Sequence, residues 1–233
     1  MSTQTVVDLE KVPAWQRRKE HRASELLAAA RDLLEEAGLE QTSIAEIARR
    51  AGVSEATVYK YFANKRDLVH QVIHSWMEPN LTSLERELPL VDGVAARLRI
   101  VTFRHLEGIR DWPGLHRLIY RELRWTDYAG SELHRLNQRY ARIIHSILSE
   151  GITAGEIDTG VDPSLVRDML FGGLEHIGLR VIARGQPIDI GGMSRAFVDR
   201  LLYGLVVSTA GQRARLNSLV AHLEAALAAS AEA

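Results

Sequence analysis

Thr42–Arg66 reads TSIAEIARRAGVSEATVYKYFANKR, and its order of caps, apolar positions and small residues decides the fold. Ser43 followed three residues later by Glu46 is a capping box, which fixes a helix start. Ile44, Ile47, Ala48 and Ala51 then share one helical face, and Gly52 suits the left-handed residue that ends a helix. Ser54 restarts a second helix as its N-cap, with Val58 and Phe62 turned toward the first. Asn64 caps a third, with Asp67 in the reciprocal position. Ala48 is small enough for the second helix to cross close above it. The pattern is a helix-turn-helix, the unit that lays its second helix in the DNA major groove.

Glu55, Thr57, Tyr59, Lys60 and Tyr61 avoid the apolar face of that second helix. Such polar or polar-tipped side chains reach base edges or phosphates. Glu55 and Thr57 are the candidate base readers, because a carboxylate is unfavourable beside phosphates but accepts from a cytosine amino group. Lys65 stands at a helix N-terminus, where its charge and the free N–H groups both favour a phosphate. Thr42, Ser43 and Ser54 complete the expected DNA contacts. From Gln41 to Arg66, Arg49, Arg50, Lys60, Lys65 and Arg66 face only Glu46 and Glu55, although the whole chain has a formal net charge of −1. The alternative reading of the stretch is a solvated helical hairpin inside an ordinary all-α protein.

The run T-S-I-A-E-I-A-R-R-A-G-V-S-E-A-T-V-Y-K-Y-F-A-N-K-R-D-L closely resembles the DNA-binding domain of the tetracycline-repressor (TetR) family of bacterial transcriptional regulators. Its most specific part is Y-K-Y-F-x-N-K-x-x-L placed after A-x-x-x-G-V-S. The resemblance covers Arg18 to Ile73. It implies a homodimer with a double-stranded DNA operator as partner and a four-helix interface between copies.

Composition is that of an ordinary soluble globular protein. The 233 residues, 46% apolar and 25% charged, suffice for a proper core. With no cysteine, disulfides, thiolate metal sites and cysteine catalysis are excluded. No apolar run approaches the roughly 20 residues of a membrane span. The N-terminus lacks a basic-then-apolar signal pattern, so the expected location is cytoplasmic. Residues 1–14 are expected as a flexible arm, 15–76 as the helix-turn-helix domain and 77–233 as a helical ligand-binding and dimerisation domain. Arg17, Arg18, Lys19 and Arg22 make the start of the first helix either a DNA-backbone contact or a solvated helix end. Leu26, Leu27, Ala30, Leu33, Leu34 and Ala37 then recur at helical spacing until Gly38.

Beyond Asp67 the chain is expected to be all-α. Leu68, Val72, Ile73 and Trp76 carry one helix to Pro79, and Pro79 and Pro89 punctuate the region after it. Apolar residues at helical spacing predict helices over 94–109, 115–124 and 133–150, and Asp162-Pro163 reads as an N-cap with proline at the first helical position. Leu165–Ile182 is apolar nearly all round, and Met193–Val207 carries Phe197, Leu201, Leu202, Leu205 and Val206. Two such helices fit a dimer interface, with one buried intramolecular core as the alternative. Gly172, Gly173, Gly178 and Gly204 are expected where helices approach closely. Arg213–Ala229 is expected as an alanine-rich helix.

Catalytic patterns are missing from the sequence. His105, His116, His134, His145 and His176 show no metal-ligand spacing, and there is no phosphate loop or nucleophile elbow. Neither a metal nor a cofactor is expected. Trp76, Phe103, Trp112, Tyr120, Trp125, Tyr140 and Phe171 instead offer walls for an apolar cavity between helices, with His105 or His176 as donors. Arg117, Arg121 and Arg124, with Arg104, form a cationic stripe that suits a carboxylate or an anionic tail, or is a solvated face. The expected ligand contacts are Phe103, Trp112, Tyr120, Arg121, Tyr140, Phe171 and His176. Phe171-Gly172-Gly173-Leu174-Glu175 resembles an F-G-x-L-[DE] stretch of acyl-CoA-responsive members of the family, which makes an acyl thioester the expected effector. The two rival expectations are an architectural DNA-binding dimer without an effector and a nucleic-acid enzyme with the same head.

Overall fold

A computed structural model describes residues 14–120, 129–185, 187–203 and Val220. Among them the chain forms α1 (Ala14–Gln41), α2 (Ile44–Arg50), α3 (Glu55–Val58), α4 (Lys65–Glu87), α5 (Val94–Asp111), α6 (Pro113–Leu118), α7 (Glu132–Thr153), α8 (Pro163–Arg184) and α9 (Ile190–Tyr203). No strand occurs among the described residues. The expected arm at 1–13, Arg121, Leu123, Arg124, Trp125, Gly204, Leu205 and Val206 lie outside them, as does all of Arg213–Ala229 except Val220.

The N-terminal helices pack on α1. Leu26, Ala30 and Leu34 of α1, Ile47 of α2, Val58 of α3, Leu68 of α4, and Phe62 between the last two are all at most 1% exposed. Gly38 breaks the helical path near the end of α1 with φ 79, as its lack of a Cβ permits. Gly52 turns the chain after α2 with φ 66. The Val53 N–H then returns to the Ala48 carbonyl at 2.9 Å, closing the helix end. Ser43, Ser54 and Asn64 each accept a cap bond from the N–H three residues on. Only half of the expected capping box at Ser43 forms, because the Glu46 carboxylate pairs with Arg49. At Asn64, Asp67 reaches back to the Ala63 N–H at 2.8 Å. Regular α-helix stops at Val58, but hydrogen-bonded turns carry the second helix on to Phe62.

α4 corrects an expectation. It does not stop at Pro79 but runs from Lys65 to Glu87 with the proline inside it. A proline there removes one N–H bond, which other contacts offset. Leu81 and Leu84 are buried beyond it, and Arg139 of α7 bonds Glu78 at 2.6 Å and Glu85 at 2.6 and 2.7 Å. α4 is thus one rod, with the helix-turn-helix at one end and α7 clamped along the other.

The C-terminal helices enclose a second part of the core, including Leu98 and Leu106 of α5, Leu115 of α6, Ile144 and Leu148 of α7, and Leu170 and Leu174 of α8. Two of the glycines in α8 mark close approaches inside the chain. A Cβ on Gly173 would meet the Phe197 ring of α9 at 2.5 Å, and one on Gly178 would meet Ile109 of α5 at 2.8 Å. Gly172 has open space around it. Leu165, Met169 and Leu179 of α8 and Tyr203 of α9 stay exposed.

Candidate functional site

On the helix-turn-helix, α3 and the turn after it present Glu55, Tyr59 and Lys60 to solvent, while Thr57 and Tyr61 are half-buried. Ser43 and Ser54 are exposed caps whose oxygens accept from the helix N–H groups, and the Ser54 hydroxyl also shares a hydrogen bond of 2.9 Å with that of Thr57. Two expected contacts face elsewhere. Thr42 is 1% exposed, and its hydroxyl donates to the Gly38 carbonyl at 2.7 Å. The Lys65 ammonium donates to the Leu39 carbonyl at 2.5 Å. Both side chains cover carbonyls left without helical partners where α1 breaks. Arg50 makes a two-pronged pair with Glu36 at 2.8 Å, which holds that carboxyl below its usual range. Arg17, Arg18 and Lys19 are exposed.

The second feature is a cavity of about 640 Å³, open to solvent on one side and lined by residues of α4, α5, α6, α7 and α8. Trp112, Tyr120, Tyr140 and Phe171 line it, while Arg121 is outside the described residues. Phe103 and His176, expected as ligand contacts, do not line it. Phe103 is 37% exposed on α5, and His176 is exposed on α8 with its Nδ1 3.3 Å from the Gly172 carbonyl. Sequence reasoning misses His116, Gly108 and the α4 residues Met77, Asn80 and Leu81 as wall residues. No spacing signals them, because they meet only when α4 crosses α5 and α6.

The inner wall is made of rings. Trp76 meets His116 edge-on at 4.9 Å between centroids, His116 lies 5.5 Å from His105 and 5.6 Å from Tyr120, and Tyr140 meets Phe171 at 5.1 Å. His105 Nε2 is 3.2 Å from the Tyr120 hydroxyl, and Nδ1 is 3.4 Å from that of Tyr140. Burial lowers the His105 pKa from 6.5 to about 4. Burial, then the neighbouring His105, lowers that of His116. Burial raises the Tyr140 phenol. These three rings are therefore neutral near pH 7. His105 is enclosed by protein yet keeps accessible surface, because that surface faces the cavity. His116 Nε2 is buried with no hydrogen-bond partner. The remaining wall carries Arg104 and Arg167 beside Glu107, Asp111, Asp168 and Glu175.

A helix-turn-helix joined by one continuous helix to an all-helical unit with a ring-lined cavity defines a DNA-binding transcriptional regulator rather than an enzyme. The chain belongs to the tetR family: the profile of bacterial regulatory proteins of that family matches residues 26–72, and that of the YsiA-like protein C-terminal region matches residues 75–204. It is similar to the fatty acid metabolism regulator protein of Bacillus subtilis (strain 168), 26% identical over 190 residues, 81% of this chain and 98% of that one. Among solved structures, the transcriptional regulator FadR from Bacillus subtilis in complex with stearoyl-CoA superposes with a TM-score of 0.72 at 26% identity, covering 78% of this chain and 99% of that one. The fatty acid degradation regulator FadR from Bacillus halodurans shares the fold, with a TM-score of 0.71 at 24% identity and the same coverage. Among the described residues no helix is long and apolar enough to cross a membrane.

Proposed function

We propose that this protein is a homodimeric repressor released from its operator by a small, largely apolar effector of the acyl-thioester class. One observation carries the reading: Trp76, in the cavity wall, belongs to the helix that begins at Lys65 beside the reading head. An occupant that displaces Trp76 acts directly on α4. In a dimer, a small tilt of α4 changes the separation of two heads that must engage half-sites about 34 Å apart or a multiple of that. Release then comes from the effector preferring the DNA-incompetent arrangement, with about 5.5 kcal/mol of preference taking 99:1 to 1:99.

The thioester class is supported by the FadR relative bound to stearoyl-CoA. Phe171, Gly172 and Glu175 of the acyl-CoA-like stretch also stand in the cavity wall. Arg104, paired with Glu87 at 3.2 Å, and Arg167, paired with Asp168 at 2.7 Å, are the guanidinium groups of the wall that an anionic head would draw from those partners. The cavity volume falls within the roughly 300–1,000 Å³ of small-molecule sites.

In this reading Glu55 and Thr57 read bases, and Ser43, Ser54, Tyr59, Lys60 and Tyr61 hold phosphates or flanking bases. Thr42 and Lys65 brace the head from behind. The exposed apolar residues Leu165, Met169 and Leu179 of α8 form the dimer surface with α9. Residues 15–76 act as the head and 77–233 as the effector and dimer unit, with α4 shared between them. The test is fluorescence anisotropy of a preformed protein–operator complex titrated with acyl-CoA thioesters, free coenzyme A serving as control. Loss of anisotropy with the thioesters alone supports the reading. Tight binding without DNA release would remove the switch.

A further inference from the structure

We infer that the effector's acyl part is a compact, oxygen-bearing ring rather than a long saturated chain, an inference that rests on the thioester reading and narrows it. The wall facing the occupant is built for a ring. Trp76, His105, His116, Tyr120, Tyr140 and Phe171 surround the cavity, with neighbouring centroids 4.9 to 6.0 Å apart. Those separations are the ones at which aromatic rings attract through their edges and faces. A further planar ring gains the same contacts, whereas a flexible polymethylene chain loses conformational entropy without them. Aliphatic lining is sparse: Met77, Leu81, Ile119 and Ala141.

The wall is also too polar for hydrocarbon alone. The His105 imidazole links the Tyr120 and Tyr140 hydroxyls and turns its accessible surface to the cavity. His116 Nε2, buried and without a partner, lies over Gly108, where a Cβ would come within 3.2 Å of it. Both residues are in the wall. An unpaired buried nitrogen is destabilising until something bonds to it. Saturated chain leaves that cost standing, whereas a hydroxyl carried on a ring can either donate to or accept from a neutral imidazole.

The experiment is isothermal titration of the full chain with 4-hydroxyphenylacetyl-CoA, phenylacetyl-CoA, octanoyl-CoA and stearoyl-CoA, and with the corresponding free acids. The expected order is hydroxyaryl tightest, then aryl, then octanoyl and stearoyl, with about tenfold between hydroxyaryl and aryl for the added hydrogen bond. His116→Phe keeps a ring but no nitrogen, and should bring hydroxyaryl and aryl thioesters to equal affinity while phenylacetyl-CoA binding is retained. Tyr120→Phe, which keeps the ring and removes only a hydroxyl, should narrow the same gap if His116→Phe fails to fold. Octanoyl-CoA or stearoyl-CoA binding as tightly as the aryl thioesters would overturn the inference and leave the thioester reading intact. Aryl acids binding as well as their thioesters would uphold the ring and remove the thioester. Binding of none of the panel would overturn both.

Discussion

The Glu35 carboxylate of α1 accepts from two backbone N–H groups at the start of α6, Gly114 at 2.7 Å and Leu115 at 2.9 Å. The approach is tight enough that a Cβ on Gly114 would stand 2.8 Å from the Glu35 Cα and collide with its carbonyl oxygen. Beside it, the Arg31 guanidinium lies 4.5 Å from the centre of the Trp112 ring, and Trp112 also lines the cavity. The reading head is therefore tied to the cavity twice, through α4 and through this contact between α1 and α6.

Breaking the second tie should cost stability and response together. Glu35→Gln keeps the shape but removes the charge from two charge-assisted hydrogen bonds, each of which contributes about 1.5–3 kcal/mol. The variant is expected to unfold at lower urea and to need more effector for the same DNA release, while its operator affinity without effector changes less. Gly114→Ala should do worse, because its clash is with backbone. Unchanged effector response in a destabilised Glu35→Gln protein would make the contact purely structural.

On DNA, Lys60 and Lys65 should behave differently. Lys60 is exposed on the reading helix, so Lys60→Ala should weaken binding to every sequence and reduce the salt slope by about 0.9. Lys65 is spent on the Leu39 carbonyl, so Lys65→Ala should lower unfolding stability and change the salt slope less. Glu55→Ala should relax base preference more than it lowers total affinity. Binding measured at several salt concentrations on operator and random duplexes separates the three. A larger slope change for Lys65→Ala than for Lys60→Ala would return Lys65 to the phosphates.

The reading head is legible in sequence because its signals are local. Ser43, Ser54 and Asn64 cap helices wherever they stand before one, and Gly38 and Gly52 stop them for the same backbone reason. Lys65 faces away from the expected phosphate because its ammonium bonds the Leu39 carbonyl, 26 residues earlier in the chain and beside the break at Gly38. In the cavity, apolar character identifies Trp112, Tyr120, Tyr140 and Phe171, but helical register decides which aromatics face inward. Phe103 precedes His105 by two residues, roughly 200° around the helix, so one faces the cavity and the other does not. His116 is invisible as a wall residue because its ring neighbours, Trp76 of α4, His105 of α5 and Tyr120, meet it only once the helices are packed.

Leu174 shows the same limit, and it changes how dimerisation should be tested. Its side chain is 0% exposed within one chain, so Leu174→Arg should unfold the protomer rather than separate two copies. Met169 is 54% exposed, so Met169→Arg should leave the protomer folded. At a dimer surface it buries an unpaired charge at a cost of several kcal/mol. Sedimentation should then show a folded monomer with weak operator binding. A Met169→Arg dimer of unchanged affinity would place the interface off this stripe.

The two buried histidines set an acid limit on stability. His105 falls from 6.5 to about 4 in the folded chain, and burial lowers His116 as well. Between those two values the unfolded chain binds a proton that the native one excludes, so stability rises with pH across the window. The contribution is complete above about 6.5 and is lost as pH falls toward 4. At ~1.4 kcal/mol per pKa unit, His105 accounts for on the order of 3 kcal/mol. The groups around it, Tyr120, Tyr140 and His116, carry no charge that could hold an imidazolium. Glu78 and Glu85, tied to Arg139, lie below their usual 4.5 and so lose their contribution at lower pH than most of this window. Urea unfolding at pH 7.5, 6.5, 5.5 and 5.0 should show stability falling with acid in the wild type. His105→Phe should flatten that fall substantially, leaving the parts due to His116 and to His70, which burial and then Arg66 also lower. An equally steep fall in the variant would mean that His105 is not excluded from protonation, and that the cavity admits water to the imidazole before any effector arrives.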